Sequence, residues 1–349
     1  MSSSSDQEAR MDRPDLTLQR APLVDTFGRQ ITYLRLSVTD RCDLRCVYCM
    51  KAKPTFLPKK DLLSLEELTA VCDTFIARGV TKVRLTGGEP LVRKDILSLI
   101  ENLGARIGKS GLEEVCLTTN GTQLPRYAAA LASAGIRRLN ISLDTLDPDT
   151  FSTLTRGGQL EQTLAGIRAA RAAGLQVKLN AVAMKGVNDG HLPGLIEWAH
   201  GEGHEVTLIE VMPIGEIGVD RADQFLSLAQ LRAEFENRWT LTDLPDSTGG
   251  PARYVRLAET GGRLGFISPL TGNFCDTCNR VRLTCTGKLY MCLGRNGAVD
   301  LRDALRNGGP EALDALLDTA MRQKERGHDF DVSRGAAAAV PRDMATTGG

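Results

Sequence analysis

This chain has no excess of charge, no long apolar run and almost no histidine, and each shortage narrows what it can be. Lysine plus arginine and aspartate plus glutamate both number 43 in 349 residues. Without a positive surplus it is not built to coat nucleic acid, where affinity rests on neutralised phosphates; a local basic pocket for a small anion stays open. No stretch approaches the 18 or so apolar residues of a membrane span. The opening segment, MSSSSDQEARMDRPD, has no apolar core that a translocon could read. A cytoplasmic, reducing compartment is therefore expected, with no membrane partner. The four histidines are His191, His200, His204 and His328.

Cysteine, by contrast, is plentiful. There are nine, an odd number, and in a reducing compartment clustered cysteines read as metal ligands or redox groups, not bridges. Cys42, Cys46 and Cys49 fall in TDRCDLRCVYCM with C-x3-C-x2-C spacing and no histidine nearby. A structural zinc site wants four protein ligands, and a four-iron cubane has four irons to terminate. Three cysteines mean a distant fourth ligand, as in a zinc knuckle, or a position left open for something else.

The second group is FCDTCNRVRLTCTGKLYMC, with Cys275, Cys278, Cys285 and Cys292. Alone it also suits a zinc ribbon. If RLTCTGKLYMC is a hairpin turning at Thr286-Gly287, Cys285 sits at its tip, about 13 Å along the strand from Cys292 at ~3.3 Å per residue. Cys275, Cys278 and Cys292 are then a second set of three, with Cys285 expected as a surface thiol without function. The same register puts Arg280 and Arg282 on one face and Cys292 on the other, so either the hairpin bends or the register is shifted by one. Cys72 and Cys116, on an apolar helix stripe and in an apolar strand, read as core residues.

Residues 1–24 are polar and expected to be disordered. From ITYLRLSV onward, strand and helix patterns alternate. The first helix, LSLEELTAVCDTFIARG, has capping-box spacing at Ser64 and Glu67, an apolar stripe of Leu65, Leu68, Cys72 and Phe75, and a closing Gly79. Six such units without hairpin signals predict parallel strands with right-handed crossovers over 25–245. That is a partial, open (βα)6 barrel of the TIM type or a six-stranded doubly wound sheet. Polar or glycine-rich signatures close strand after strand (the cysteine loop, TGGEP, TTNG, ISLD, AMKG, EVMP), which favours the barrel, whose active sites form at that rim. Residues 246–330 change pattern to a β-containing extension, with ARYVRLAETGGRLGFISPL as a hairpin turning at Gly261-Gly262. Residues 331–349 read as a flexible tail ending in Gly-Gly.

The combination CDLRCVYC, TGGEP, LRLSVTDRC, TTNG, NISLD and CNRVR resembles the radical S-adenosylmethionine superfamily and, within it, the GTP 3′,8-cyclases of molybdenum cofactor biosynthesis. The likeness runs from about Asp25 to Gly309, with Lys51–Pro54 and 214–250 the idiosyncratic stretches. It implies two [4Fe-4S] clusters, one on Cys42, Cys46 and Cys49 whose open iron takes S-adenosylmethionine, one on Cys275, Cys278 and Cys292 whose open iron takes GTP. It implies cofactor contacts at Tyr48, Gly88 with Glu89, Ser142 and Met212. It implies substrate contacts at Arg35, Arg84, Thr118, Lys185, Arg280, Val281 and Arg282, with Lys82 a lesser candidate. The reaction implied is reductive cleavage of S-adenosylmethionine to a 5′-deoxyadenosyl radical, removal of the ribose 3′ hydrogen of GTP, and closure of C3′ onto C8. An external electron donor, a homodimer, a lid formed by the second cluster segment and a Gly348-Gly349 tail reaching the active site belong to the same expectation. Two other readings stand beside it: a two-cluster radical enzyme acting on a peptide, and a zinc-stabilised binding protein.

Overall fold

The computed structural model describes residues 20–217, 221–245 and 249–348. Of the expected disordered start, 1–19 lie outside the described residues. Arg20–Val24 are in place: Arg20 pairs with Asp314, and the buried Leu23 donates its amide to Arg78 O at 3.0 Å.

Six strands alternate with helices as the pattern predicts. They are β1 (Tyr33–Ser37), α1 (Leu65–Ala77), β2 (Lys82–Thr86), α2 (Ile96–Gly104), β3 (Glu114–Thr119), α3 (Leu124–Ser133), β4 (Arg138–Ser142), α4 (Pro148–Thr155), α5 (Leu160–Ala172), β5 (Gln176–Ala183), α6 (Leu192–Gly201) and β6 (Glu205–Glu210). The local chemistry of α1 is the one its sequence calls for. Ser64 Oγ accepts from Glu67 N at 3.1 Å while Glu67 Oε2 takes Ser64 N at 2.7 Å, and Gly79 follows at φ +90°.

The strand order decides between the two architectures. β1 to β6 lie side by side in sequence order, all parallel, whereas a doubly wound sheet reverses its order at a switch point. The winding is that of an α/β barrel. After α7 (Arg221–Gln224) and α8 (Leu228–Glu236) come β7 (Leu241–Leu244), β8 (Arg253–Leu257) and β9 (Arg263–Ile267). The change of pattern placed near residue 245 falls inside a hairpin, since β7 pairs with β8. β9 then joins β6 in parallel. β10 (Arg280–Leu283), β11 (Lys288–Tyr290) and β12 (Ala298–Asp300) follow, and β10 joins the opposite edge, parallel to β1. The linear twelve-strand order leaves the sheet open between its ends. The segment 268–279, which carries Cys275 and Cys278, runs from β9 at one side of that opening to β10 at the other. The C-terminal residues thus extend the barrel's own sheet at both edges. They continue through α9 (Gly309–Gln323) to α10 (Met344–Thr347).

The predicted hairpin β10–β11 forms, but its turn holds four residues, 284–287, not two. Arg282 faces Tyr290 and Leu283 faces Leu289, one step from the register first derived. Extended by two pairs, Arg280 and Cys292 fall opposite each other, which removes the conflict over their faces. Cys285 is fully buried, not a surface thiol: its carbonyl accepts from Leu63 N at 2.8 Å. Among the described residues no helix is long and apolar enough to cross a membrane.

Candidate active site

Period-two alternation inside a barrel sends every second residue of each strand inward. Here the inward positions are occupied by polar groups that would be costly to bury without a purpose. Arg35 on β1 lies level with Arg84 on β2 and with Arg282 on β10. Asn140 on β4 is level with Thr118 on β3 and with Lys178 on β5. The outward positions, such as Leu34, Leu36, Val83, Leu117 and Val281, build the apolar core against the helices.

Two chambers occupy the interior. One, with an enclosed volume of about 160 Å³, is walled by Arg35, Arg84, Asn140, Lys178, Arg280 and Arg282 and closed by Cys275, Cys278 and Cys292. The other, also about 160 Å³, contains Cys42, Cys46 and Cys49 with Tyr48, Gly88, Thr118, Ser142 and Met212. They share Asn180, Ile209, Met212 and Met344 as a common wall. Among the lining residues several buried polar atoms have no protein partner: Arg84 Nε and Asn140 Oδ1 in the first chamber, Thr118 Oγ1 in the second and Asn180 Oδ1 in the shared wall. Buried donors and acceptors left so fit a polar ligand.

The electrostatics of the first chamber point to a polyanion. Burial, with Arg84 and Arg280 alongside, pushes the Arg35 guanidinium down to about 10. Burial next to Arg35 and Arg280 pushes Arg282 well below its ordinary value. Lys178 is buried, donates to Tyr254 Oη and is pushed down to about 7, first by desolvation and then by neighbouring arginines. A triphosphate would relieve all three.

The two cysteine sets differ in surroundings. Burial raises Cys42 and Cys49 to about 12 and lifts Cys46 well above its ordinary value, with Glu89 acting on Cys42, Cys49 and Asp144 on Cys46, and Asp343 on Cys49. At Cys278 burial works upward too, but Arg280 and Lys324 outweigh it and the thiol lies below its ordinary value. Cys292 is raised by burial. Among the described residues no three His, Cys, Asp or Glu side chains converge as a single metal ion requires; thiols that each terminate a different iron need not. Both sets fit such clusters in chemistry: three free thiols at the wall of a chamber that also offers partnerless polar atoms.

The glycines of TGGEP serve a different contact from the expected one. A Cβ on Gly87 would stand 2.4 Å from Thr39 O, and one on Gly88 2.3 Å from Arg41 O. They let the β2 exit lie on the backbone leading into the first cysteine loop, with Gly88 N donating to Thr39 O at 2.9 Å. Gly88 still lines the chamber. Glu89 does not: its carboxylate takes Leu91 N, Thr119 Oγ1 and Asn120 N at 2.7–3.0 Å, so it ties strand ends together instead of facing a ligand. Tyr48 Oη donates to Asp144 at 2.7 Å.

Other expected residues fall elsewhere. Lys185 is exposed after β5 and lines neither chamber; the inward cation of that strand is Lys178. Val281 points its side chain into the apolar core. Lys82 pairs with Glu114 at 2.6 Å beside the Tyr33 ring. Thr118 lies with the first cysteine set, not with the arginines. Cys116 is fully buried in the core, as read, with Arg84 beside it.

Sequence reasoning passed over Lys178, Asn140 and Asn180, although lysine and asparagine at alternate positions of VKLN carried the signal. It also passed over two cations behind the second set. Lys324 Nζ donates to Met291 O at 2.7 Å and Arg280 O at 3.3 Å. Arg29 reaches Cys275 O at 2.6 Å from the start of the chain.

The segment read as a flexible tail packs between the two sets. Met344 N donates to Cys49 O at 3.1 Å, and Arg342 donates to Cys292 O and Leu293 O at 3.3 and 2.5 Å. Arg282 donates to Gly348 O. Gly348, at φ +75°, sits where a Cβ would collide with Thr86; Gly349 lies outside the described residues.

Comparison with known proteins agrees with this picture. Residues 36–199 match the Radical SAM superfamily and 204–330 match Molybdenum Cofactor Synthesis C. The chain is similar to a Rhizobium etli protein named GTP 3′,8-cyclase, 60% identical over 336 residues and 96% of each chain. It is also similar to one of the same name from Erythrobacter litoralis, 60% identical over 94% of this chain and 98% of that one. Among solved structures, Streptococcus suis SuiB bound to S-adenosylmethionine shares the fold, with TM-score 0.60, 15% identity and coverage of 84% of this chain and 68% of that one.

Proposed function

The chain belongs to the GTP 3′,8-cyclase family of the radical S-adenosylmethionine superfamily, and from that premise we propose that its two chambers hold S-adenosylmethionine and GTP on either side of one shared wall. The reaction is removal of the ribose 3′ hydrogen of GTP and closure of C3′ onto C8. The observation that carries this reading is the abutment itself: three thiols and the polar rim of β2 to β6 on one side, a nest of buried cations with three further thiols on the other, and Asn180, Ile209, Met212 and Met344 between them.

A four-iron cluster on Cys42, Cys46 and Cys49, with S-adenosylmethionine bound, supplies one-electron cleavage of the sulfonium bond and through it an oxidant for an unactivated C–H bond. The chain's own residues do the rest. Tyr48, held by Asp144, together with Gly88, Ser142 and Met212, shapes the cofactor side. Arg35, Arg84, Lys178, Arg280 and Arg282 take the triphosphate, arginine forks matching its oxygens two at a time. Cys275, Cys278 and Cys292, backed by Lys324, would hold a second cluster, which would offer an open iron to the base. Asn140 and Asn180 offer acceptors to the nucleoside between base and phosphates. The tail and the 268–279 segment keep water from a site whose chemistry would attack any stray hydrogen.

The test is anaerobic incubation of the reduced, reconstituted protein with S-adenosylmethionine and either GTP or ATP. 5′-Deoxyadenosine should accumulate with GTP and stay near background with ATP. Equal yields with both nucleotides, or none with either, would defeat the assignment.

A further inference from the structure

The cysteine loop of the first set is flanked by a concentration of positive charge that neither chamber uses. In a chain of zero formal net charge, Arg41 stands immediately before Cys42, and the excursion after Met50 reads KAKPTFLPKK. Arg41, Lys53, Lys59 and Lys60 are exposed and Arg45 is half-buried. The excursion is anchored to the cysteine loop. The Phe56 ring lies under both Arg41 and Arg45, 5.5 and 5.1 Å from their guanidinium carbons, and Leu57 N donates to Asp40 at 2.6 Å. Nearby acids are already engaged. Asp43 accepts from Asn120, Thr122 and Gln123 at 2.6–3.0 Å, and Glu216 pairs with Lys51 at 3.6 Å. Lys53, Lys59 and Lys60 have no acidic partner among the described ion pairs.

We infer that this basic apron is the docking surface for an acidic one-electron carrier protein that reduces the cluster of the first set. The inference rests on the reading of Cys42, Cys46 and Cys49 given above. The reaction needs an electron from outside the chain, and the apron flanks the loop that carries those cysteines, tied to it through Phe56 on Arg41 and Arg45 and through Leu57 on Asp40. Transient electron-transfer contacts are small and steered by complementary charge, so exposed lysines around the entry point matter even without tight pairing. In the step one electron leaves the carrier, whose own centre passes from reduced to oxidised, and enters the cluster; no proton or leaving group moves.

The probe is a prereduced plant-type [2Fe-2S] ferredoxin, mixed anaerobically with the reconstituted holoprotein and S-adenosylmethionine, with cluster reduction followed by rapid-mixing absorbance and by paramagnetic resonance. The wild-type rate should fall steeply with added salt, as screening over about 10 Å at 0.1 M demands. Lys53→Glu/Lys59→Glu/Lys60→Glu should be reduced at least about tenfold more slowly at low salt, while dithionite reduces it at the wild-type rate. The three glutamine substitutions should give a smaller loss. Lys109→Glu/Arg137→Glu, at the opposite ends of the strands, should change nothing. Ferredoxin rates unaffected by salt or by the charge reversal would overturn the inference while leaving the cluster assignment intact. A wild type showing no dithionite-reducible cluster would overturn the assignment and this inference with it.

Discussion

The two cysteine sets solve the same problem in opposite ways. The first is compact: Cys42, Cys46 and Cys49 sit in one loop, seated on the glycine exit of β2 and surrounded by Glu89, Asp144 and Asp343. The second is assembled across the molecule. Cys275 and Cys278 lie on the segment that bridges the open sheet, Cys292 follows β11, and Arg29, Lys324 and Arg280 supply positive charge from three separate elements. Thiolate ligands are favoured by cations and opposed by acids. At Cys278 the cations prevail and the thiol lies below its ordinary value, whereas burial raises Cys292 and all three thiols of the first set.

The largest effect expected from breaking this pairing is at the ligands. Cys46→Ala should abolish 5′-deoxyadenosine formation. Cys278→Ala should abolish the cyclised product while leaving S-adenosylmethionine binding in place, and each variant should fall from about eight to about four irons per chain. Equal loss of cofactor binding in both would mean that the sets are not separate. Next comes Arg280→Ala with Arg282→Ala. It removes two cations from one strand and should lower kcat/KM for GTP by at least about 10²-fold, again with cofactor binding kept; loss of both together would indicate a collapsed domain.

A subtler test concerns Lys178. With its pKa near 7, the amine is mostly neutral at pH 8 in the free protein, and a triphosphate would restore its charge. GTP binding at pH 8 should take up a proton, the uptake fading below pH 7 where the amine is already charged. Calorimetry in buffers of different ionisation enthalpy measures this, and Lys178→Met should remove the uptake and weaken GTP about tenfold. In the free chain the depressed value has a stability consequence as well. Between pH 7 and the ordinary lysine range the unfolded chain binds more protons, so stability should rise with pH there. The smallest effect belongs to Cys285→Ser, which buries a hydroxyl for about 1–2 kcal/mol of stability and should leave iron content unchanged. A fall in iron would make Cys285 a ligand and redraw the second set.

What was legible in the sequence follows the same division. Local signals came through: the strand–helix alternation, the cap at Ser64 and Glu67, the C-x3-C-x2-C loop and a hairpin over 253–267, although its turn spans 258–261 and not Gly261-Gly262, since Arg256 faces Arg263 and Leu257 N donates to Gly262 O. The barrel winding also followed, because signatures at successive strand ends share one rim. Long-range placements did not come through. Nothing in residues 268–279 says that they cross an opening, because that depends on β9 and β10 joining opposite edges. Lys185, which the resemblance implied, follows its strand and is exposed, whereas the barrel interior is lined by alternate residues within the strand, where Lys178 and Asn180 stand. The hairpin register missed by one because the Thr284 hydroxyl, bonded to the Thr286 hydroxyl and to the Lys288 backbone, holds a four-residue turn open. Glu89 was read as facing a ligand when three protein donors already claim its oxygens.

The central claim is that one wall joins the two chambers, so that hydrogen passes from nucleotide to cofactor across Asn180 and Met212. GTP deuterated only at the ribose 3′ carbon tests it in a single turnover. The structure predicts one deuterium in each 5′-deoxyadenosine, and none when the label is at the 2′, 4′ or 5′ carbon. Unlabelled 5′-deoxyadenosine from the 3′ substrate, or label arriving from another carbon, would contradict it.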